Sequence, residues 1–103
     1  MNRPAVEREP GPIPEPAKRK ALSARGNALK AKLALGRQGL REAFVVQVRV
    51  AFTHTDLLKI RLAAEGVEET KDLAAELARR VPCHLLQCTG HVALLYLPLP
   101  KER

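Results

Sequence analysis

The chain of 103 residues has the size of a single domain, and its 18 lysines and arginines against 11 acids give a formal net charge of +7. This balance favours a polyanionic partner, while an aromatic content of 3% is too low for an RNA-binding sheet that stacks bases on several aromatic rings. Two cysteines, no apolar leader and no run of about 18 apolar residues argue against a disulfide scaffold, a secretory signal and a membrane span, so we expect a cytoplasmic protein.

The first third of the chain combines a proline-rich tail with a predicted helix and strand. Prolines recur at every second position from Pro10 to Pro16, which excludes a helix or a sheet ladder there. We therefore predict a disordered tail over 1–16 and one domain over 17–100. Residues 18–25 are basic and alanine-rich, and they predict a short helix that ends at Gly26 and Asn27. Apolar residues then alternate with lysines through 29–35, which predicts a strand.

The segment 40–55 fits two structures. Its valines and phenylalanines are strand formers, yet its apolar side chains also recur three and four residues apart, as on one face of a helix. A segment of 16 residues without a turn signal is longer than an ordinary strand. We predict a helix whose buried face is widened by Val45, Val46 and Val50.

A second strand is predicted to begin at Asp56. Its aliphatic residues Leu58 and Ile60 would face one side of the sheet, and Lys59 and Arg61 the other, because successive side chains of a strand alternate. The basic pair lies on a binding surface only if helices leave its face of the sheet open.

The last third of the chain predicts a helix followed by two strands. Val67–Arg80 places acids in its first two turns and arginines in its last, as the helix dipole prefers. Residues 84–88 and 92–97 form a strand pair around a Thr89-Gly90 turn, and the second of them is apolar enough to be central. The predicted fold class is α/β, a two-layer α-β-α-β-α-β-β sandwich with a four-stranded mixed sheet.

Positive charge concentrates in the first half of the chain. Eleven basic residues and two acids lie within 18–61, whereas a single lysine accompanies five acids within 62–78. This separation favours a binding face over an evenly solvated surface, and nucleic acid is the polyanion that we expect.

A glycine loop, Gly36-Arg37-Gln38-Gly39, separates the first strand from the second helix. Its two glycines permit a tight turn and a close approach of the backbone to a ligand. The helix that follows offers unpaired amides and the positive end of its dipole to a phosphate, and Arg37 and Arg41 can add charged contacts. Turns need glycine for other reasons too, so the loop is a candidate site because of the charge around it.

Four segments, in this order, resemble the bacterial YhbY family, the stand-alone form of the CRM (chloroplast splicing and ribosome maturation) domain. They are Leu29-Lys30 leading through Leu33-Ala34-Leu35 to Gly36, the glycine loop with Leu40, the strand from Asp56 to Arg61, and Gly90 through Leu94-Leu95-Tyr96. The resemblance implies a fold like the C-terminal domain of translation initiation factor 3, RNA binding, and association with precursors of the large ribosomal subunit. It also favours the helix over 40–55, although that helix often opens with Thr or Ser in the family and Arg41 stands here.

Charge, the glycine loop and the resemblance together predict an RNA-binding surface. The first helix and the segment after it supply six cations, the loop and the start of the second helix supply five residues, and the second strand supplies two. The predicted RNA contacts are Lys18, Arg19, Lys20, Arg25, Lys30, Lys32, Gly36, Arg37, Gln38, Gly39, Arg41, Lys59 and Arg61.

Other functions have less support. Cys83, His84, Cys88 and His91 could suggest zinc, but their spacing matches no common finger, and adjacent strand residues point to opposite faces. The histidines have no nucleophile or carboxylate partner at a recognisable spacing, so we expect no enzyme, metal, cofactor or small-molecule substrate. DNA binding is disfavoured because no basic recognition helix appears. The alternative that remains is an adaptor of the ribosome or translation machinery, docking a partner through the proline-rich tail or the acidic third helix.

The leading hypothesis is a monomeric protein that binds large-subunit ribosomal RNA, or its precursor, during ribosome assembly. Its mechanism would be electrostatic, with lysines and arginines on phosphates and the glycine loop seating one stretch of backbone.

Overall fold

A computed structural model describes residues 10–36 and 39–99, and within them it contains three helices and four strands. The helices are α1 (Pro16–Asn27), α2 (Glu42–Ala51) and α3 (Val67–Arg80), and the strands are β1 (Leu33–Leu35), β2 (Leu57–Leu62), β3 (His84–Thr89) and β4 (Val92–Tyr96). This confirms the predicted α/β fold, the element order and the helical structure of the ambiguous segment.

The four strands form one mixed sheet in the order β1-β2-β4-β3. β1 and β2 are parallel, with Leu33 opposite Ile60, and β4 is antiparallel to both β2 and β3. β4 is therefore an interior strand, as its apolar sequence predicted. Because β1, β2 and β3 run in the same direction, the loops that follow them lie at one end, called here the carboxyl end of the sheet.

Helices α2 and α3 cover one face of the sheet and bury the main core there. Alternate residues of β2, including Leu58 and Ile60, pack with Val48, Phe52 and Leu77 in this core. Removal of this aliphatic surface from water is the main force that holds the two helices on the sheet.

Helix α1 packs on the opposite face, where Leu22 forms a smaller buried cluster with Leu57, Leu94 and Tyr96. Gly26 brings the helix close to the sheet, since a Cβ atom at this position would lie 2.5 Å from Leu94 Cδ2. The helix ends at Asn27, as predicted, and Gly26 is in addition a buried contact in its last turn. Since Leu57 begins β2 and Tyr96 ends β4, α1 covers the half of this face that lies away from the carboxyl end.

Two features of the middle of the chain differ from prediction. Val46 and Val50 do not widen the buried face of α2, because their side chains are 43% and 54% exposed. At 3.6 residues per turn each lies about 160° around the helix from the buried Val48. The strand predicted over 29–35 is reduced to β1, because the chain after α1 is still turning, with Leu29 N–H donating to Gly26 O at 3.0 Å.

Two arginines join α2 to the end of α3. Arg49 donates from Nε to Val81 O at 2.8 Å and from Nη2 to Arg80 O at 2.9 Å. Arg80 in turn donates to Glu42 Oε1 at 3.1 Å. Arg49 therefore satisfies carbonyl groups that the C-terminal turn of a helix leaves without an intrahelical partner.

Only part of the predicted tail lies within the described residues. Pro10 O lies 2.9 Å from Nε2 of His84 on β3. α1 begins at Pro16, a residue that the prediction placed in the tail, and proline is well suited to the first turn of a helix. Residues 1–9 and 100–103 lie outside the described residues.

Candidate functional site

A groove of about 640 Å³ occupies the half of the sheet face that α1 leaves open. The last turn of α1, the segment that follows it, and strands β2, β3 and β4 form its walls. Its cations are Lys30, Lys59 and Arg61, and no acid is present among the described residues that line it. We call it the sheet-face groove.

The backbone of β2 and the end of α1 position these cations. Strand alternation places Lys59 and Arg61 on the face opposite Leu58 and Ile60, as predicted. Lys59 is half-buried and donates from Nζ to Leu29 O at 3.1 Å, so its ammonium is held at the groove wall. Lys30 and Arg61 are exposed and can reach a ligand directly.

A second cavity, of about 750 Å³, opens at the carboxyl end of the sheet. It lies between the end of β1, the loop after β2 and the turn before β4. Gly36, Arg61, Glu65, Glu69 and His91 supply its polar lining. Because Arg61 lines both this carboxyl-end cavity and the sheet-face groove, the two form one continuous surface.

Gly36, the first residue of the glycine loop, lines the carboxyl-end cavity. Gly39 N–H donates to Gly36 O at 3.3 Å, and Gly39 has a φ of +91°, a left-handed conformation that favours glycine. The backbone carbonyl of Arg41 accepts the first amide bonds of α2, and within the described residues its side chain makes no capping hydrogen bond. The predicted contacts Arg37 and Gln38 lie outside the described residues.

The cations of α1 are separated from the groove. Arg25 donates from Nη2 to Asp56 Oδ1 at 2.8 Å, and this hydrogen bond raises the pKa of its guanidinium. The Lys18 ammonium lies 5.5 Å from the centroid of the Tyr96 ring, a cation–π contact, while Arg19 and Lys20 are exposed.

Distance along the helix explains the separation. The groove borders the last turn of α1, whereas residues 18–20 lie about 9–12 Å further toward its start at 1.5 Å per residue. Lys32, just before β1, is exposed but does not line either cavity.

Sequence reasoning missed six polar residues that line these cavities. Asn27, Gln87 and Thr89 lie in the sheet-face groove, and Glu65, Glu69 and His91 lie in the carboxyl-end cavity. Simple alternation along β3 would place Gln87 and Thr89 on the side of Leu85, which packs against the main core. They line the groove instead because the register of β3 against β4 is irregular between Leu85 and Gln87. No local signal indicates His91 either, because only the fold brings the turn before β4 next to β1.

The cysteine and histidine residues near β3 are separated by the strand itself. Cys83 is buried in the main core, where burial raises the pKa of its thiol to about 12, and Cys88 packs against the same core. His84 lies on the α1 side and stacks on Tyr96 with ring centroids 6.2 Å apart. Within 10–36 and 39–99, no three His, Cys, Asp or Glu side chains are grouped to hold a metal ion.

Of the helices in the described part of the chain, none is long and apolar enough to cross a bilayer.

This combination of fold and motifs agrees with the comparisons with known proteins. The model of the CRS1 / YhbY (CRM) domain matches residues 15–96, so the chain belongs to that family. A probable RNA-binding protein of Pseudomonas aeruginosa is 29% identical over 83 residues, which cover 81% of this chain and 80% of the relative. An RNA-binding protein of Haemophilus influenzae is 26% identical over 69 residues, covering 67% and 70% respectively.

The fold is also that of a solved structure. The solution structure of a hypothetical protein from Staphylococcus aureus superposes with a TM-score of 0.77 at 16% identity. The match covers 88% of this chain and 95% of the other.

Proposed function

We propose that this chain binds RNA and that the sheet-face groove holds the phosphate backbone. The observation that carries the proposal is the composition of the groove: three cations from two separate segments and, among the described lining residues, no acid. Such a surface attracts the phosphates of a nucleic acid whatever its base sequence, and backbone contacts of this kind supply most of the affinity for nucleic acid.

The comparisons support RNA over other polyanions. Two relatives that align with most of this chain are named RNA-binding proteins. Resemblance to the YhbY family favours large-subunit ribosomal RNA or its precursor as the target, bound in the cytoplasm by a monomer during ribosome assembly. The proposed role has no catalytic step and needs no metal or cofactor.

The glycine loop extends the phosphate-binding surface past Arg61. Gly36 and Gly39 would let one RNA segment approach the start of α2, where Arg41 is exposed, and Arg37 and Gln38 would contribute from the loop itself. Lys32, Lys18, Arg19 and Lys20 would provide weaker, longer-range attraction. Arg25 is exposed, but Asp56 already neutralises part of its charge and holds its guanidinium, so it should contribute less than the exposed cations of the groove.

Two matched double variants test the proposal. Lys30→Gln with Arg61→Gln removes one exposed lysine and one exposed arginine from the groove, and Lys71→Gln with Arg79→Gln removes the same two residue types from α3. Binding of a structured fragment of ribosomal RNA is measured from 50 to 200 mM salt. The groove variant should lower the slope of log K against log salt by about 1.4–1.8, because each lost phosphate contact removes about 0.7–0.9.

The size of the expected effect follows from that slope. When salt rises from 50 to 200 mM, a slope lower by about 1.4–1.8 means that the affinity of the groove variant should fall about 7- to 12-fold less than that of the wild type. The α3 variant should keep the wild-type slope. An equal effect of both variants would mean that net charge alone drives binding, and no effect of either would favour the adaptor alternative. Crosslinking in cells, followed by sequencing of the attached RNA, tests the ribosomal target separately.

A further inference from the structure

The two cavities joined at Arg61 differ in polarity. The sheet-face groove offers hydrogen-bond donors and positive charge. The carboxyl-end cavity adds the carboxylates of Glu65 and Glu69 and the imidazole of His91 to the same arginine. A phosphate suits the first environment, but carboxylates repel it in the second. The carboxyl-end cavity instead suits a neutral ligand that has both donors and acceptors.

The size, lining and place of the carboxyl-end cavity suit a nucleobase. Small residues, Ala34, Ala63 and Ala64, form much of its wall, and Gly36 also lines it. A volume of about 750 Å³ is within the range of small-molecule sites and exceeds that of one nucleobase. The cavity also lies beyond the carboxyl ends of parallel strands, where open α/β sheets bind their ligands.

A buried threonine fixes the hydrogen-bonding state of His91. Thr70 is fully buried, and its Oγ1 lies 2.7 Å from Gly66 O and 3.1 Å from His91 Nδ1. A hydroxyl has one hydrogen to donate, and the short contact with the carbonyl needs it. Nδ1 of His91 therefore carries a hydrogen and donates to Thr70, which leaves Nε2 as an acceptor when the ring is neutral.

Backbone hydrogen bonding also fixes the position of His91. Leu62 N–H donates to His91 O at 2.7 Å, and Arg61 is paired with Val92 in the adjacent register position. The imidazole is thus anchored from two sides. Three acceptor groups, the Glu65 and Glu69 carboxylates and Nε2, then share the cavity lining with one strong donor, Arg61.

We propose that the carboxyl-end cavity receives one unstacked base of the bound RNA and selects guanine, while the sheet-face groove holds the phosphates. Guanine presents O6 and N7 to two of the five N–H donors of an arginine, which leaves the other donors of Arg61 for a neighbouring phosphate. The N1–H and N2 amino group of guanine donate to carboxylates or an imidazole nitrogen. Uracil has no amino group and matches fewer of these partners. This inference rests on the proposed RNA binding, because the base arrives attached to the backbone in the groove.

Two short RNAs separate base selection from phosphate binding. One is a ten-residue uridine oligomer, and the other carries one guanosine at its centre. Fluorescence anisotropy at pH 8 should give about fivefold or tighter binding to the guanosine oligomer, the lower end of discrimination by a good base contact. His91→Ala should abolish most of this preference and leave the salt slope unchanged. Lys30→Gln with Lys59→Gln should lower the salt slope and keep the preference.

Each failure has a separate meaning. Equal binding of the two oligomers by the wild type, or a preference that survives in His91→Ala, would overturn the base site and leave RNA binding intact. Salt-insensitive or undetectable binding of both oligomers, with no effect of the lysine pair, would overturn the proposed function and the base site together. Circular dichroism of His91→Ala checks the fold, which should persist because His91 is exposed.

Discussion

Replacing Gly26 with alanine tests the packing that leaves the sheet-face groove open. In an exposed helical site this change would stabilise the fold by up to about 1 kcal/mol. Here the new Cβ would lie 2.5 and 2.8 Å from the two methyl carbons of Leu94, which is itself buried. Overpacking of this kind costs about 1–3 kcal/mol. The expected result is a loss of about 0–2 kcal/mol in the free energy of unfolding.

A double-mutant cycle in urea separates the two contributions. Leu94→Ala removes the side chain that meets the new methyl, so Gly26→Ala should become stabilising in that background and the cycle should give a coupling energy of about 1 kcal/mol or more. Ala21→Gly, at an exposed position of the same helix, measures helix propensity alone and should cost about 1 kcal/mol. Full stabilisation by Gly26→Ala in the wild-type background, with zero coupling, would refute the contact between α1 and β4.

Three other predictions concern buried polar groups. Thr70→Val should lower the free energy of unfolding by about 1–3 kcal/mol, because its methyl cannot replace the hydrogen bonds to Gly66 and His91, whereas Thr70→Ser should recover most of the hydrogen-bonding part in thermal or urea melts. Arg49→Met should destabilise by a similar amount, since it leaves two carbonyls at the end of α3 without their donor; unchanged stability would show that water replaces the guanidinium. Burial raises the pKa of both thiols, less for the half-buried Cys88 than for Cys83, whose pKa is about 12. At pH 8 a thiol reagent should therefore modify Cys88 slowly in the native protein and reach Cys83 only after unfolding. Above the unfolded thiol pKa, near 9, the unfolded state releases this proton and the native state does not, so the thiol's contribution to stability should fall between pH 9 and 12 and be absent in Cys83→Ala.

Local sequence patterns correctly predicted the elements in which several local signals agree. The helix Val67–Arg80 has charge, periodicity and a following proline in accord, and its predicted and observed bounds coincide. The alternation of β2 correctly separated Lys59 and Arg61 from the core face, because period-two patterning depends only on the strand itself. For residues 40–55 the helical spacing outweighed strong strand propensity, and tertiary packing of α2 explains why.

Predictions failed where a distant segment decides the outcome. Gly26 and Asn27 mark the end of α1 as predicted, but no local pattern indicates that Gly26 is also the contact at which α1 approaches Leu94, 68 positions away. The apolar Val46 and Val50 are exposed because α2 needs only one stripe to cover the sheet. His91 was considered only as a metal ligand or catalyst, and its contact with Thr70 depends on how α3 packs beside the turn before β4.

The packing of α1 also determines which of the predicted cations can meet a ligand. By covering one half of the sheet face, α1 places Arg25 on Asp56 and Lys18 on Tyr96, where their charges support the fold. The same placement leaves the other half open, next to the carboxyl end, and Arg61 lines both the groove there and the adjoining cavity. Sequence charge alone weights all these cations equally. The fold separates them into cations that line the groove and cations that do not. Loss of the exposed Lys30 and Arg61 should therefore reduce the salt dependence of RNA binding more than loss of the denser basic run of α1.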